Sequence, residues 1–221
     1  MKRLSIQLAI GGALMLGLVG AALMFAMGAM SGGSDSHSHS TSPSAPEAPS
    51  GTLKAHVYQP PKEIDDFTLT DQDGNPFRFS ESNGKVRVLY IGYTQCPDIC
   101  PLTMVNWKNV KKNLGPLADQ VSFVMITADP DHDTPSVMKA FVEGFDPSFI
   151  GLSGSKQDLG AVWASFGAQV RRDELPGSAT GYSVSHPSSL FVLAKDGRLT
   201  LKIPYGETVA AIADDIRGVL Q

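Results

Sequence analysis

KVRVLYIGYTQCPDICPLTMVNWKNVKKNLG, residues 85–115, is the stretch on which the fold turns. Residues 85–93, KVRVLYIGY, are rich in β-branched and aromatic side chains and read as a buried strand. Residues 93–101, YTQCPDICP, hold the only two cysteines of the chain, Cys96 and Cys100, each followed by proline. Pro101 predicts a helix starting there, because the first helical N–H has no intrahelical partner to lose. In LTMVNWKNVKKNLG, Leu102, Val105, Trp107, Val110 and Leu114 line one broad face, Lys108, Lys111 and Lys112 fall largely off it, and Gly115 supplies the stop. A buried strand thus passes through a cysteine loop into an amphipathic helix.

The same grammar runs outward in both directions. DFTLTDQDGNPFRFS, residues 66–80, alternates around Asp-Gly and Asn-Pro signals and predicts a β-hairpin. VSFVMITAD, residues 121–129, reads as a second buried strand. TPSVMKAFVEGF, residues 134–145, reads as a helix with Thr134 as N-cap and Pro135 in its first turn. FIGLSG is a short strand, and SKQDLGAVWASFGA a helix with Ser155 as cap and Asp158 three residues later. SLFVLAKDGRLTLKIP predicts two strands around Lys195, Asp196 and Gly197, and ETVAAIADDIRGVL closes the chain as a helix. Strands alternating with helices imply an α/β sandwich around a mixed, partly parallel sheet.

The N-terminus differs in kind. Lys2 and Arg3 precede an uncharged run from Leu4 to Met30. About 20 helical residues cross a bilayer core, so this run is long enough to span with tilt. A cleaved signal peptide carries a shorter apolar region, about 7–15 residues; Ala26 and Ala29 offer small side chains for cleavage, but the length favours an uncleaved single transmembrane anchor over residues 1–30. The leading positive charges predict a cytoplasmic N-terminus and an exported domain. Two basic residues are too few for a mitochondrial transit peptide, so a bacterial plasma membrane is expected. Residues 31–53 are rich in Ser, Gly and Pro and read as a tether. His37 and His39 lie within it, and a solvated linker explains them better than a metal site. The domain occupies residues 54–221. A net charge of −4 gives no reason to expect nucleic acid.

Export makes the cysteines informative, because an oxidising compartment permits a disulfide. A bridge with three residues between its ends constrains the unfolded chain little, so the pair reads as chemistry more than as scaffolding. At a strand-to-helix junction, free N–H groups and the helix dipole favour thiolates. Two thiolates suit Cu(I) or Zn(II) but leave a zinc site incomplete, which raises the question of a third ligand. His56, His132 and His186 are the histidines of the domain. In a thioredoxin-like layout the loop before the late strand lies beside the cysteine loop, which places His186 well. A surface or core role remains an even competitor on placement alone.

Four segments, DFTLTDQDGNPF, VLYIGYTQCPDICP, VMITADPDHDTP with FDPSFIGLSG, and YSVSHPSSLFVLAKDG, occur in an order that resembles the Sco/SenC family of thioredoxin-like copper proteins. The resemblance spans about residues 65–198. It implies a copper ion, Cu(I) and in some states Cu(II), bound by Cys96, Cys100 and His186. It implies delivery of that copper to, or preparation of the cysteines of, the dinuclear copper site of a haem-copper (cytochrome c) oxidase. An upstream copper donor or a thiol reductase would be a further partner. On this reading the protein is a metallochaperone rather than an enzyme; the alternative is an exported thiol-disulfide oxidoreductase working through a Cys96–Cys100 disulfide. The sequence departs from the family pattern in having Gln95 where a histidine is common, and Ser185 and Pro187 flanking His186, which removes an adjacent aspartate that would orient the imidazole.

Other candidates have plainer explanations. Asp129, Asp131 and Asp133 around His132 read as a turn and helix cap before a hard-cation site, and Asp98 is as much an exposed turn residue as a steering charge for copper. Trp107 and Trp163 fall on apolar helix faces, and Met104, Met125 and Met138 in core-like patterns. Arg171, Arg172, Asp173 and Glu174 form a mixed solvated patch suited to a docking rim.

Overall fold

The structure is a computed structural model that describes residues 54–178 and 180–221. The predicted anchor and tether, with His37 and His39, lie outside the described residues. Strands are β1 (His56–Lys62), β2 (Thr68–Asp71), β3 (Pro76–Arg78), β4 (Val86–Gly92), β5 (Val121–Thr127), β6 (Ile150–Ser153), β7 (Arg171–Glu174), β8 (Tyr182–Ser185), β9 (Leu190–Leu193) and β10 (Leu199–Ile203). Helices are α1 (Ile99–Leu114), α2 (Pro135–Phe145), α3 (Lys156–Ser165) and α4 (Val209–Leu220). Among the described residues no helix is long and apolar enough to cross a membrane.

Eight strands form one mixed sheet in the order β1-β10-β9-β4-β5-β6-β2-β3. The β4–β5 and β5–β6 pairs are parallel and the rest antiparallel. All seven residues of β4 are buried, as a strand covered on both faces must be. Register sorts its side chains. Val88 and Tyr90 pair with Phe123 and Met125 and face α1, where Trp107 packs on Tyr90 and Phe123. Leu89 pairs with Phe191, which faces the other way onto Phe166, next to the end of α3. A thioredoxin-like sandwich with a central mixed sheet results.

The predicted caps are present. The Thr134 hydroxyl accepts from the Val137 N–H, and Ser155 and Asp158 exchange hydrogen bonds at the head of α3. Gly115 ends α1 at φ 58°, a left-handed conformation that glycine adopts without a Cβ penalty. Trp107, Met104, Met125 and Met138 are core, while Trp163 is half-buried and donates its indole N–H to the Thr127 carbonyl at 3.2 Å.

Two expectations are corrected. Helix α1 begins at Ile99, so Cys100 lies inside its first turn and Pro101 follows it; an N–H in the first turn needs no helical partner, so proline is tolerated there as well. The buried face of α1 is narrower than the sequence suggested. Cys100, Thr103, Met104, Trp107, Val110 and Leu114 fill it, at helical spacing, while Leu102 (46%) and Val105 (44%) are exposed, because they project from another side of the helix. The charged run Arg171–Glu174 is largely exposed, as expected, and also forms strand β7, paired antiparallel with β8 in a separate two-stranded sheet. Its four consecutive charged residues carry no alternation by which a strand is recognised. Strand β1 is likewise not legible in the sequence: Pro60 and Pro61 argue against a strand, yet prolines are admissible at the edge β1 occupies beside β10.

Candidate metal centre

Strand β4 delivers the chain to the site and α1 takes it away. At the end of β4 sits Gly92. A Cβ there would stand 2.5 Å from the Tyr90 ring and 3.0 Å from Cys100 Sγ, so the missing side chain is what lets the cysteine turn close over the strand. Cys96 is in the loop and partly exposed; Cys100 is fully buried in the first helical turn. The Cys100 N–H donates to Cys96 Sγ at 3.4 Å, an instance of an unpaired helix N-terminal amide finding a sulfur. The Tyr90 hydroxyl meets Cys100 Sγ at 3.4 Å from below.

His186 follows directly on β8. Its Nε2 lies 3.6 Å from Cys100 Sγ, and its Nδ1 lies 3.0 Å from the Pro187 carbonyl. A carbonyl only accepts, so Nδ1 carries the hydrogen and Nε2 presents its lone pair to the sulfurs. The orienting role expected of a neighbouring aspartate is thus filled by a backbone oxygen one residue on. Tyr90 and Tyr93 hold the ring edge-on, with centroids 5.8 and 5.6 Å away. The donor atoms of Cys96, Cys100 and His186 all lie within 4.8 Å of one another.

The two thiols are electrostatically unlike. Cys96 is lowered to about 3, first by the hydrogen bond from the Cys100 thiol, with burial opposing, and further by the Asp98 and Cys100 amides. Cys100 is pushed well above the ordinary thiol range, by its bond to Cys96 and then by burial. The pair therefore holds one proton at neutral pH, with the thiolate on the more accessible sulfur.

Asp129, His132 and Asp133 form a second compact cluster. Asp133 is fully buried and already accepts from the Thr94 N–H (3.1 Å), the Thr94 hydroxyl (2.6 Å) and the Thr127 hydroxyl (2.7 Å), with His132 Nδ1 at 3.1 Å. Those bonds pin the cysteine loop to β5. Asp131 pairs with Lys156 on the surface, and the cap of α2 is Thr134 rather than an aspartate. Asp98 is exposed and makes no side-chain cap bond. His56 stands at the start of edge strand β1, against Tyr58.

Residues that the sequence did not bring forward surround the ligand set: Tyr90, Tyr93, Thr94 and Tyr182. Tyr182 had a readable signal. In YSVSH, residues 182, 184 and 186 share one face of an extended segment, so a tyrosine four positions before His186 points the same way.

A family model described as SCO1/SenC matches residues 56–221. Among curated relatives, an SCO2-like protein of Rickettsia felis is 32% identical over 146 residues, covering 66% of this chain and 71% of the relative. Among solved structures, Bradyrhizobium japonicum ScoI with copper bound superimposes with a TM-score of 0.64 at 30% identity, covering 71% of this chain and 98% of that one. The apo Sco1 protein from Thermus thermophilus gives a TM-score of 0.67 at 31% identity, covering 77% and 99%.

Proposed function

The chain belongs to the SCO1/SenC family, and from that premise we propose that it is a copper carrier whose ligands are Cys96, Cys100 and His186. The observation that carries this reading is the convergence of two sulfurs and a lone-pair-bearing imidazole nitrogen within 4.8 Å, with the other ring nitrogen tied to the Pro187 carbonyl. Two soft sulfur donors and one imidazole suit Cu(I), and the set also admits Cu(II). The lowered Cys96 supplies one ligand already deprotonated, while Cys100 must release its proton as the metal binds, so uptake is coupled to pH. ScoI of Bradyrhizobium japonicum, described with copper bound, supports the same cargo here.

Delivery goes to the dinuclear copper site of a haem-copper oxidase, as the family resemblance implies. We place the protein at a bacterial plasma membrane through residues 1–30, with residues 31–53 as tether and residues 54–221 on the exported side. In one experiment the reduced full-length chain is titrated with copper without oxygen, beside His186→Ala. One copper per chain, held markedly more weakly by the variant, is the expected result; equal affinity removes His186 from the site. For the destination, a deletion strain is expected to show an oxidase defect that added copper relieves.

The thiol asymmetry favours a second activity at the same residues. The Cys96 thiolate attacks a partner's disulfide and displaces one partner thiolate. The Cys100 sulfur then attacks Cys96 and releases the other, its proton passing to a leaving thiolate. The partner's disulfide is reduced and a Cys96–Cys100 disulfide forms, a state that no longer holds copper through thiolates. Rapid turnover of disulfide substrates by a chain that holds no copper would make this the main function.

A further inference from the structure

His186 lies in the short link between β8, which is outside the main sheet, and β9, which belongs to it. Strands β7 and β8 pair only with each other, so ladder hydrogen bonds fix the hairpin internally but not against the cysteine loop. Side chains join the two: Val184 of β8 is buried in the core, Arg172 of β7 reaches Asp129, and of the three only Tyr182 touches the residue before Cys96. The Tyr182 hydroxyl, on the strand that immediately precedes His186, hydrogen-bonds the Asp129 carboxylate and also lies 2.8 Å from Gln95 Oε1. Gln95 is the residue before Cys96. Asp129 is buried just past the end of β5, and its own N–H is fixed to the Thr127 hydroxyl at 2.8 Å. A single phenol thus touches the cysteine loop and the β5–α2 loop while standing on the hairpin that leads to the imidazole. Arg172 of β7 seats the phenol from behind: its guanidinium lies 3.6 Å over the Tyr182 ring and 3.7 Å from Asp129.

We infer that Tyr182 is a positioning residue for His186, its hydroxyl locking the β7–β8 hairpin to the Cys96 loop so that the imidazole meets both sulfurs. The inference rests on the copper site proposed above, and its physical basis is general. An isolated two-stranded hairpin is marginal alone, and a metal ligand is only as well placed as the contacts that orient it. Because Tyr182 acts through His186, its effect on the metal must vanish when His186 is absent.

The test uses the full-length chain and its Tyr182→Phe, His186→Ala and doubly substituted forms. Two quantities are read: Cu(I) affinity by competition with a chromogenic chelator, and, in the metal-free protein, nuclear Overhauser contacts from the His186 ring to Tyr90 and Tyr93. Tyr182→Phe is expected to lose about 10-fold in affinity, the low end for partners behind a metal ligand, and to lose the ring contacts, with one copper still bound. The double variant is expected to bind no more weakly than His186→Ala alone. Wild-type affinity together with intact ring contacts in Tyr182→Phe overturns the inference, as does a double variant weakened by the full additional factor. A shift confined to the thermal midpoint, with affinity and ring contacts unmoved, marks Tyr182 as merely structural. Should the wild type hold no copper while Tyr182→Phe still loses the ring contacts, the copper reading falls and the positioning role stands.

Discussion

The eight-stranded sheet and the β7–β8 hairpin contribute to one site by different physics. The sheet holds the cysteines. Cys100 sits at the foot of α1 over a fully buried strand, backed by Tyr90 and Trp107. The hairpin holds His186 through side chains whose partners lie elsewhere in the chain, Tyr182 and Arg172 foremost. Packing makes the sulfurs hard to displace, while the imidazole depends on polar contacts as well as on the burial of Val184. For a protein proposed to take up and surrender a metal, a fixed pair and a third ligand held in part by polar contacts divide the labour sensibly.

That contrast can be broken or sharpened by substitution. The largest expected effect is on the sheet side. Trp107→Ala, removing a side chain with no exposed surface, should cost about 3–5 kcal/mol in denaturant unfolding. A loss under about 1 kcal/mol would mean that α1 is not anchored as described. Next, Gly92→Ala forces a methyl against Tyr90 and Cys100 Sγ; about 1–3 kcal/mol of destabilisation is expected from such overpacking, with a fall in copper affinity because Cys100 must move. On the hairpin side, Arg172→Ala removes a half-exposed cation over Tyr182 and should lower stability by only about 0.5–1 kcal/mol, while loosening the His186 ring contacts seen by NMR. Equal losses of stability from Gly92→Ala and Arg172→Ala would erase the distinction between the two regions.

The smallest expected change is one of pH. Cys96 is lowered in the folded protein, so its contribution to stability is present above the ordinary thiol pKa and is lost as pH falls through its folded value, about 3. Cys100 is raised, so its contribution is present below the ordinary thiol pKa and fades as pH rises above it. Alkylation of the reduced chain should therefore mark Cys96 alone, at a rate nearly flat from neutral pH down to about pH 5. A rate that climbs tenfold per pH unit between 6 and 8 would show an ordinary thiol and remove the asymmetry.

Legibility in the sequence followed local physics. Buried strands, capped helices and the Asp-Gly turn were readable because each depends on neighbouring residues: β4 on its apolar run, α2 on Thr134, α3 on Ser155 and Asp158. The failures depended on distant partners. Arg171–Glu174 is a strand only because β8 lies beside it. Leu102 and Val105 are apolar yet exposed, since helix phase is set by which face Trp107 and Val110 bury. Asp133 looked like a turn residue and is instead the buried acceptor for Thr94 and Thr127.

The sequence by itself determined the order of strands and helices and the chemistry available: two cysteines at a strand-to-helix junction, one histidine before a late strand, and a resemblance that tied them together. Composition and spacing are local properties and survive in a string of letters. Tertiary structure alone decided that Cys96 holds the thiolate, that Pro187 fixes the His186 tautomer, and that Tyr182 stands between the hairpin and the cysteine loop. Those outcomes depend on burial and on hydrogen bonds between residues up to 87 positions apart, and such distances exist only once the chain has folded.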